Sequence, residues 1–184
     1  AVLCEARDRV AALYAARGEA LVRVDLPEQR ISEGVLTLGV TEGRVTESSL
    51  INAEALGPAS GQASAYMRAL NDGQATRWRN VERAFSLIQE IPGAEAGFSI
   101  RRAQSGEPGA LTAVATFAPR RLMDVSLTGH NFGSENIGRQ GGSLRVDLNS
   151  LTSLAERTSF IVSASHNWNQ RVFQLVEEAH LGSS

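Results

Sequence analysis

The last third of the chain contains four consecutive segments in which apolar and polar residues alternate. Successive side chains of a β-strand point to opposite faces, so each segment predicts a strand with one apolar and one polar face. Strands of about 9–11 residues with this alternation are typical of outer-membrane β-barrels, and the signal gains weight when several such strands follow one another. The segments are Leu122–His130, Gly142–Asn149, Thr158–Ser165 and Arg171–Leu181.

Such a sheet has two explanations. A polar lumen and a lipid-facing surface would require the two faces, and so would a soluble sheet that is covered on one side. The long polar face, rich in Ser, Thr, Asn and Arg, favours the membrane. The predicted polar faces carry Leu122, Asp124, Ser126, Thr128 and His130, then Ser143, Arg145, Asp147 and Asn149; the opposite faces carry Met123, Val125, Leu127 and Gly129, then Leu144, Val146 and Leu148.

Four strands are too few to close a barrel, since closed membrane barrels have about eight or more. We therefore expect this chain to be part of a membrane protein whose other strands lie outside the sequence. Phe132, Trp168 and Phe173 lie near predicted strand ends, where the aromatic residues of a membrane interface are found. The sequence begins with no signal peptide, so a secreted protein would have lost it.

The first two thirds of the chain predict an α+β arrangement. The order helix, Gly, strand, Gly-containing turn, strand occurs twice, which indicates two copies of one small module, the first lacking its start. Thr76 is expected to cap the strongest helix, and Pro119 is expected to end the second copy. The predicted helices are 5–17, 64–70 and 76–91, and the predicted strands are Ala20–Asp25, Val35–Val40, Ala94–Ala103 and Ala110–Phe117.

Composition and motifs exclude several classes of function. The net charge of −2 and the pI near 6.0 give no reason to expect a nucleic-acid partner. The apolar runs are too short for a membrane helix, and the single Cys4 cannot form an internal disulfide. His130, His166 and His180 lack the spacing of metal ligands, and Glu177 and Glu178 alternate faces on a strand. We expect no enzyme activity, no cofactor and no metal.

Several short motifs resemble one family in their order and spacing. The first copy contains Leu13-Tyr14, Arg17-Gly18, Leu26-Pro-Glu-Gln-Arg-Ile31, Gly34 and Val40-Thr-Glu-Gly-Arg-Val45; the second contains Val81–Ile88, Ile91-Pro-Gly93 and Gly106–Leu111; the strand region contains Asn131-Phe-Gly-Ser134 and Ile137-Gly-Arg139. These resemble the polypeptide-transport-associated (POTRA) modules and first barrel strand of two-partner secretion transporters. That family is the haemolysin secretion/activation (TpsB-type) branch of the Omp85-like outer-membrane superfamily.

The resemblance implies an α+β fold with β-α-α-β-β POTRA modules, followed by antiparallel strands that begin a transmembrane β-barrel. The implied domains are 1–50 (part of a first module), 51–119 (a second module) and 120–184 (about four barrel strands). The barrel would lie in the bacterial outer membrane and contact its lipid, with the POTRA modules in the periplasm. The implied partner is an unfolded client of the haemolysin or adhesin type, and the open strands of this chain could also pair with another copy.

The resemblance also suggests where a client would bind. An exposed edge strand offers unpaired backbone groups to an extended segment, and 94–103 is the expected edge. Phe98 and Ile100 would provide apolar contact, and Arg101 and Arg102 would attract acidic segments. Alternatively, Phe98 and Ile100 face the module's own core and the arginines are merely solvated. Two other functions stay open for the whole protein: an outer-membrane assembly factor, and a soluble periplasmic binding or scaffold protein.

Overall fold

The computed structural model of the chain describes residues 2–29, 34–136 and 138–179. Within them the fold is α+β, as predicted. The elements in chain order are α1 (Val2–Ala16), β1 (Arg23–Asp25), β2 (Gly39–Thr41), β3 (Arg44–Ile51), a 3-10 helix (Ala53–Ala59), α2 (Ser60–Arg68), α3 (Trp78–Gln89), β4 (Ala96–Arg102), β5 (Ala110–Phe117), β6 (Met123–His130), β7 (Gly141–Asn149), β8 (Arg157–Ser165) and β9 (Arg171–Glu178).

Two compact units account for these elements, and each is made of segments that are separate in sequence. The first unit consists of Ala1–Ile51, Ala65–Leu87 and Gly97–Thr116. The second consists of Asn52–Ser64, Ile88–Ala96 and Phe117–Ser184. The domain boundaries expected from sequence, at 50/51 and 119/120, stay a prediction.

In the first unit, β1 and β2 form an antiparallel hairpin in which Arg23 is paired with Thr41. Both strands are shorter than the alternation predicts, and only Gly39 and Val40 of the predicted strand Val35–Val40 are in β2. The Gln29 side-chain amide donates to the carbonyl of Thr37 at 2.7 Å and accepts from its backbone N–H at 2.8 Å. This side chain takes the place of a neighbouring strand at Thr37. Arg30 and Ile31 of the Leu26–Ile31 motif lie outside the described residues.

The larger sheet of the first unit has the strand order β3-β5-β4. β3 pairs in parallel with β5, so β3 and β4 belong to one sheet. The predicted boundary at 50/51 assigns most of β3 to the first module. Thr76 is not used as a helix cap: its hydroxyl accepts a hydrogen bond from the backbone N–H of Val45 at 2.8 Å. The buried apolar side chains of this unit are Val45, Tyr66, Met67, Leu70, Val81, Ala84, Ala103, Ala110, Ala113, Val114 and Ala115.

In the second unit, β6 to β9 form one antiparallel sheet whose strands lie in sequence order. The four strands agree with the predicted segments to within one residue, except that β9 ends at Glu178. His180 and Leu181, which the prediction includes, lie outside the described residues. Each strand connects to the next in sequence, and Ile137 in the β6–β7 loop is likewise outside the described residues.

Candidate functional site

The strand β4 lies at the edge of the three-stranded sheet, with β5 as its only neighbour among the described strands. The N–H of Ala103 donates to the carbonyl of Ala110, and the carbonyl of Glu95 accepts from the N–H of Ala118. Glu95 and Ala103 are both odd-numbered, and both direct these backbone groups toward the rest of the sheet. Because the direction alternates along an antiparallel strand, the N–H and C=O of Phe98 and Ile100 point to the open edge.

The side chain of Phe98 stacks on Phe85 of α3, with ring centroids 4.1 Å apart and an angle of 17° between the rings. Phe98, Phe85 and Ile100 are all half-buried, so the aromatic pair is neither enclosed nor fully exposed. Phe98 thus contacts Phe85 of its own module and is half-buried, and client binding at this residue stays a prediction. Sequence spacing assigns Phe85 to the apolar side of its helix but does not predict this contact.

Arg101 and Arg102 end the strand and are exposed. Arg102 lines a cleft of about 340 Å³ in the first unit, together with residues of the β1–β2 hairpin and of the β4–β5 turn. Arg23 and Asp25 in that cleft form an ion pair at 2.8 Å. The strand alternation separates Arg101 from Phe98 and Ile100, so the four predicted residues do not share one face.

A second surface lies on the sheet β6–β9, where the strand register brings apolar residues into continuous rows. Val125, Val146, Phe160 and Leu175 are cross-strand neighbours, and so are Leu127, Leu144, Val162 and Phe173. Met123 and Leu148 extend the same face. Most of these side chains are exposed, up to 83% for Leu127, 75% for Phe173 and 67% for Leu175, and Val146 and Leu148 are half-buried. No described residue of this chain covers that face, which we call the apolar sheet face.

The opposite face of the same sheet is polar. Asp124 pairs across strands with Asp147, and this contact of like charges would be unfavourable alone. Arg145 donates to Asp147 at 2.7 Å and to the hydroxyl of Ser159 at 3.1 Å. The Asn149 amide donates to Asp124 at 2.8 Å, so both carboxylates have partners. The predicted separation into two faces is therefore present in the structure.

The end of the sheet that carries the β6–β7 and β8–β9 loops has exposed aromatic residues. Phe132 is the second residue after β6 and stacks on His130 with ring centroids 4.5 Å apart. Trp168 follows β8, and the guanidinium of Arg171 lies 5.9 Å from its ring centroid. Because β6 and β8 run in the same direction in this sheet, both aromatic residues lie at the same end of it. Phe173 lies within the apolar sheet face rather than beyond a strand end.

The part of the chain that the structure describes shows neither a metal-binding cluster nor a helix that could span a membrane. His130 is in β6 and His166 follows β8, and no group of three or more His, Cys, Asp or Glu is placed to hold a metal ion there. None of the described helices has the length and apolar character needed to cross a membrane. Glu177 and Glu178, which alternate faces on the strand, have separate partners: Glu177 accepts from the Thr158 hydroxyl at 2.7 Å, and Glu178 lies 4.0 Å from Arg157.

The chain's fold is similar to that of several solved structures. It resembles CdiB from Escherichia coli with a TM-score of 0.64 and 21% identity, over 90% of this chain and 30% of that one. For CdiB from Acinetobacter baumannii the TM-score is 0.55 with 13% identity, over 88% of this chain and 29% of that one. For BamA from Haemophilus ducreyi lacking POTRA domains 1–3 the TM-score is 0.50 with 14% identity, over 88% of this chain and 30% of that one. The chain thus spans less than a third of each structure that it matches.

At the level of sequence, residues 1–43 match the family model "POTRA domain, ShlB-type". No curated protein matches the chain. The predicted resemblance to POTRA modules is confirmed by this family model for residues 1–43, and the solved structures share the fold over most of the chain.

Proposed function

We propose that this chain provides the client-docking modules and the first barrel strands of an outer-membrane polypeptide transporter. Its client would be a large secreted protein of the haemolysin or adhesin type. The observation that carries the proposal is the apolar sheet face, which lies opposite a polar face and is left uncovered. The ShlB-type POTRA match supports it from the other end of the chain.

The physical argument for a membrane starts from the cost of this face in water. Burying one Val, Leu or Phe side chain is worth about 1.5–3 kcal/mol, and exposed apolar patches of more than a few hundred Å² mark contacts with membranes or proteins. Lipid would cover the face without any further protein layer. The opposite face would then line a polar interior, as in membrane barrels. The proposed location is the bacterial outer membrane, with the POTRA modules in the periplasm.

The argument for client docking starts from the edge of β4. The open backbone groups of Phe98 and Ile100 could pair with an extended segment of any sequence, because main-chain hydrogen bonds do not depend on side chains. The half-buried pair of Phe85 and Phe98 would add apolar contact beside that strand. Arg101 and Arg102 would favour acidic client segments. The proposed mechanism needs no bond chemistry and no cofactor.

Fractionation and secretion assays on the complete gene product test this function. We expect recovery in the outer-membrane fraction and loss of one large secreted protein from the medium when the gene is deleted. Quantitative recovery in the soluble fraction would instead indicate a periplasmic scaffold and would reject the transporter.

An outer-membrane assembly factor is the second candidate, and the fold shared with BamA favours it. Deleting such a factor would lower the amounts of many outer-membrane barrels together. A transporter of the proposed type would affect its own client and leave the other barrels at normal levels. Quantitative analysis of outer-membrane proteins in the deletion strain separates the two.

A further inference from the structure

The turn between β7 and β8 is buried at its two ends, whereas its middle residues, 151–154, are exposed, as is usual for turns. Ser150 is 0% exposed and Glu156 is 4% exposed. Ser150 and Ala155 have positive φ angles, 49° and 51°. A non-glycine residue in such a conformation costs of order 1–3 kcal/mol and persists where its surroundings hold it in place. The turn is thus held by contacts that outweigh this cost.

Glu156 organises the turn from within. Its carboxylate accepts hydrogen bonds from the backbone N–H and the hydroxyl of Thr152, both at 2.7 Å. Burial by itself would raise the pKa of Glu156, but the hydrogen bonds from Thr152 and from the turn's backbone outweigh burial, so its pKa lies below the ordinary value. These hydrogen bonds therefore favour the ionised carboxylate and tie Glu156 to Thr152 within the turn.

The turn's outward contacts reach two other segments of the second unit. The Ser150 hydroxyl donates to the carbonyl of Pro92 at 2.8 Å, and the guanidinium of Arg120 donates to the carbonyl of Ser150. The Asn149 amide donates to the carbonyl of Arg121 at 3.1 Å. The N–H of Arg121 donates to the carbonyl of Gly93 at 3.0 Å, which completes the set.

Gly93 shows how closely these segments approach. Its φ is 76°, and a Cβ there would lie 2.3 Å from the carbonyl oxygen of Arg121 and 3.0 Å from the Asn149 Cβ. Any side chain at this position would separate the segments. We call the contacts of Pro92, Gly93, Arg120, Arg121, Asn149 and Ser150 the polar joint.

We propose that the polar joint couples client docking to the strand sheet, with Ser150 as a positioning residue. Pro92 and Gly93 lie in the segment that leads from α3 directly into β4. A client that pairs with β4 would change the position of that segment, and the joint would pass the change to the β7–β8 hairpin. The inference rests on the proposed docking at β4, and it goes further by naming the link between docking and the strands.

The test is Ser150→Ala in the complete protein, with Ser153→Ala as the matched control, since Ser153 is an exposed serine of the same turn. We expect Ser150→Ala to speed amide hydrogen exchange in residues 93–96 and 118–121. Secretion should fall about fivefold or more, the lower range of allosteric coupling, while the client Kd and the protein level in the membrane stay unchanged. Ser153→Ala should match the wild type in all four measurements.

Arg120→Gln is the second variant, in case Ser150→Ala does not fold, and it should uncouple in the same way. Normal secretion despite faster exchange would overturn the coupling and leave a purely structural joint. A weaker client Kd would overturn it too, by placing Ser150 in the docking site. If the wild-type protein binds and secretes no client, the proposed function fails and the coupling with it; the exchange data then still report whether the joint exists.

Discussion

The two larger sheets of this protein bury opposite kinds of residue. In the three-stranded sheet the buried positions are apolar, such as Val45, Ala113 and Val114. In the four-stranded sheet the buried strand residues are polar, Asn149, Ser159 and Ser165, while Leu127 and Phe173 are exposed. One sheet is arranged as in a water-soluble protein, and the other is arranged the reverse way. Alternation creates two faces in both sheets, but the surroundings decide which face is buried.

The largest expected effect concerns the 184-residue chain expressed alone. Its apolar sheet face and the open edges of β6 and β9 should cause association in water, because both gain by contact with another chain. Detergent above its critical micelle concentration should disperse the aggregates. Light scattering with and without detergent measures this. A monodisperse monomer at high concentration in plain buffer would contradict the proposed reversal of the two faces.

Charge placed on the two faces of β6 should have unequal effects. Leu127→Arg should destabilise the protein folded in a bilayer by about 2–4 kcal/mol, the cost of Arg at mid-membrane depth. Thr128→Arg, its neighbour on the polar face, should cost less than about 1 kcal/mol. Urea unfolding from lipid vesicles compares the two variants. Equal losses of unfolding free energy in the two variants would show that the two faces contact the same solvent.

Glu156→Gln tests whether buried polar groups stabilise the second unit. The lowered pKa means that the ionised carboxylate stabilises the fold above its unfolded-state pKa of about 4.3, and that this contribution is lost as the pH falls through the lower folded-state pKa. The free energy of unfolding of the variant should be about 1–3 kcal/mol lower than that of the wild type at pH 7, and it should fall little further in acid. Denaturant unfolding at pH 7 and pH 3 measures both. The exposed Glu95→Gln should resemble the wild type, and an equal loss in that control would refute a special role for Glu156.

The smallest effect separates backbone pairing from side-chain contact at β4. Phe98→Ala and Phe98→Pro both lose the stacking on Phe85, but only proline also removes the open-edge N–H. Proline should therefore weaken client binding by a further two- to tenfold or so, since one hydrogen bond is worth about 0.5–1.5 kcal/mol. Titration with an unfolded client domain gives the two Kd values. If the proline variant binds as tightly as the wild type, β4 is not the docking edge.

Local pattern was sufficient for most elements. The four strands of the second unit follow from alternation, and β5 begins and ends where its apolar run does. Helix α3 also follows from its spacing, although Thr76 does not cap it, because its hydroxyl accepts a bond from Val45, far away in sequence. The strand predicted at Val35–Val40 failed for a similar reason: the Gln29 side chain satisfies the backbone at Thr37.

The sequence by itself determined the α+β class, the strand segments with their polar and apolar faces, and the motifs that resemble POTRA modules, because these depend on residues close together in the chain. Only the tertiary structure decided the parallel pairing of β3 with β5, the stacking of Phe85 on Phe98, and the burial of Ser150 and Glu156. Each of these depends on contacts between distant segments, and periodicity carries no information about which distant segments meet. The same holds for the apolar sheet face: alternation predicted it, and the absence of any described residue above it came from the fold.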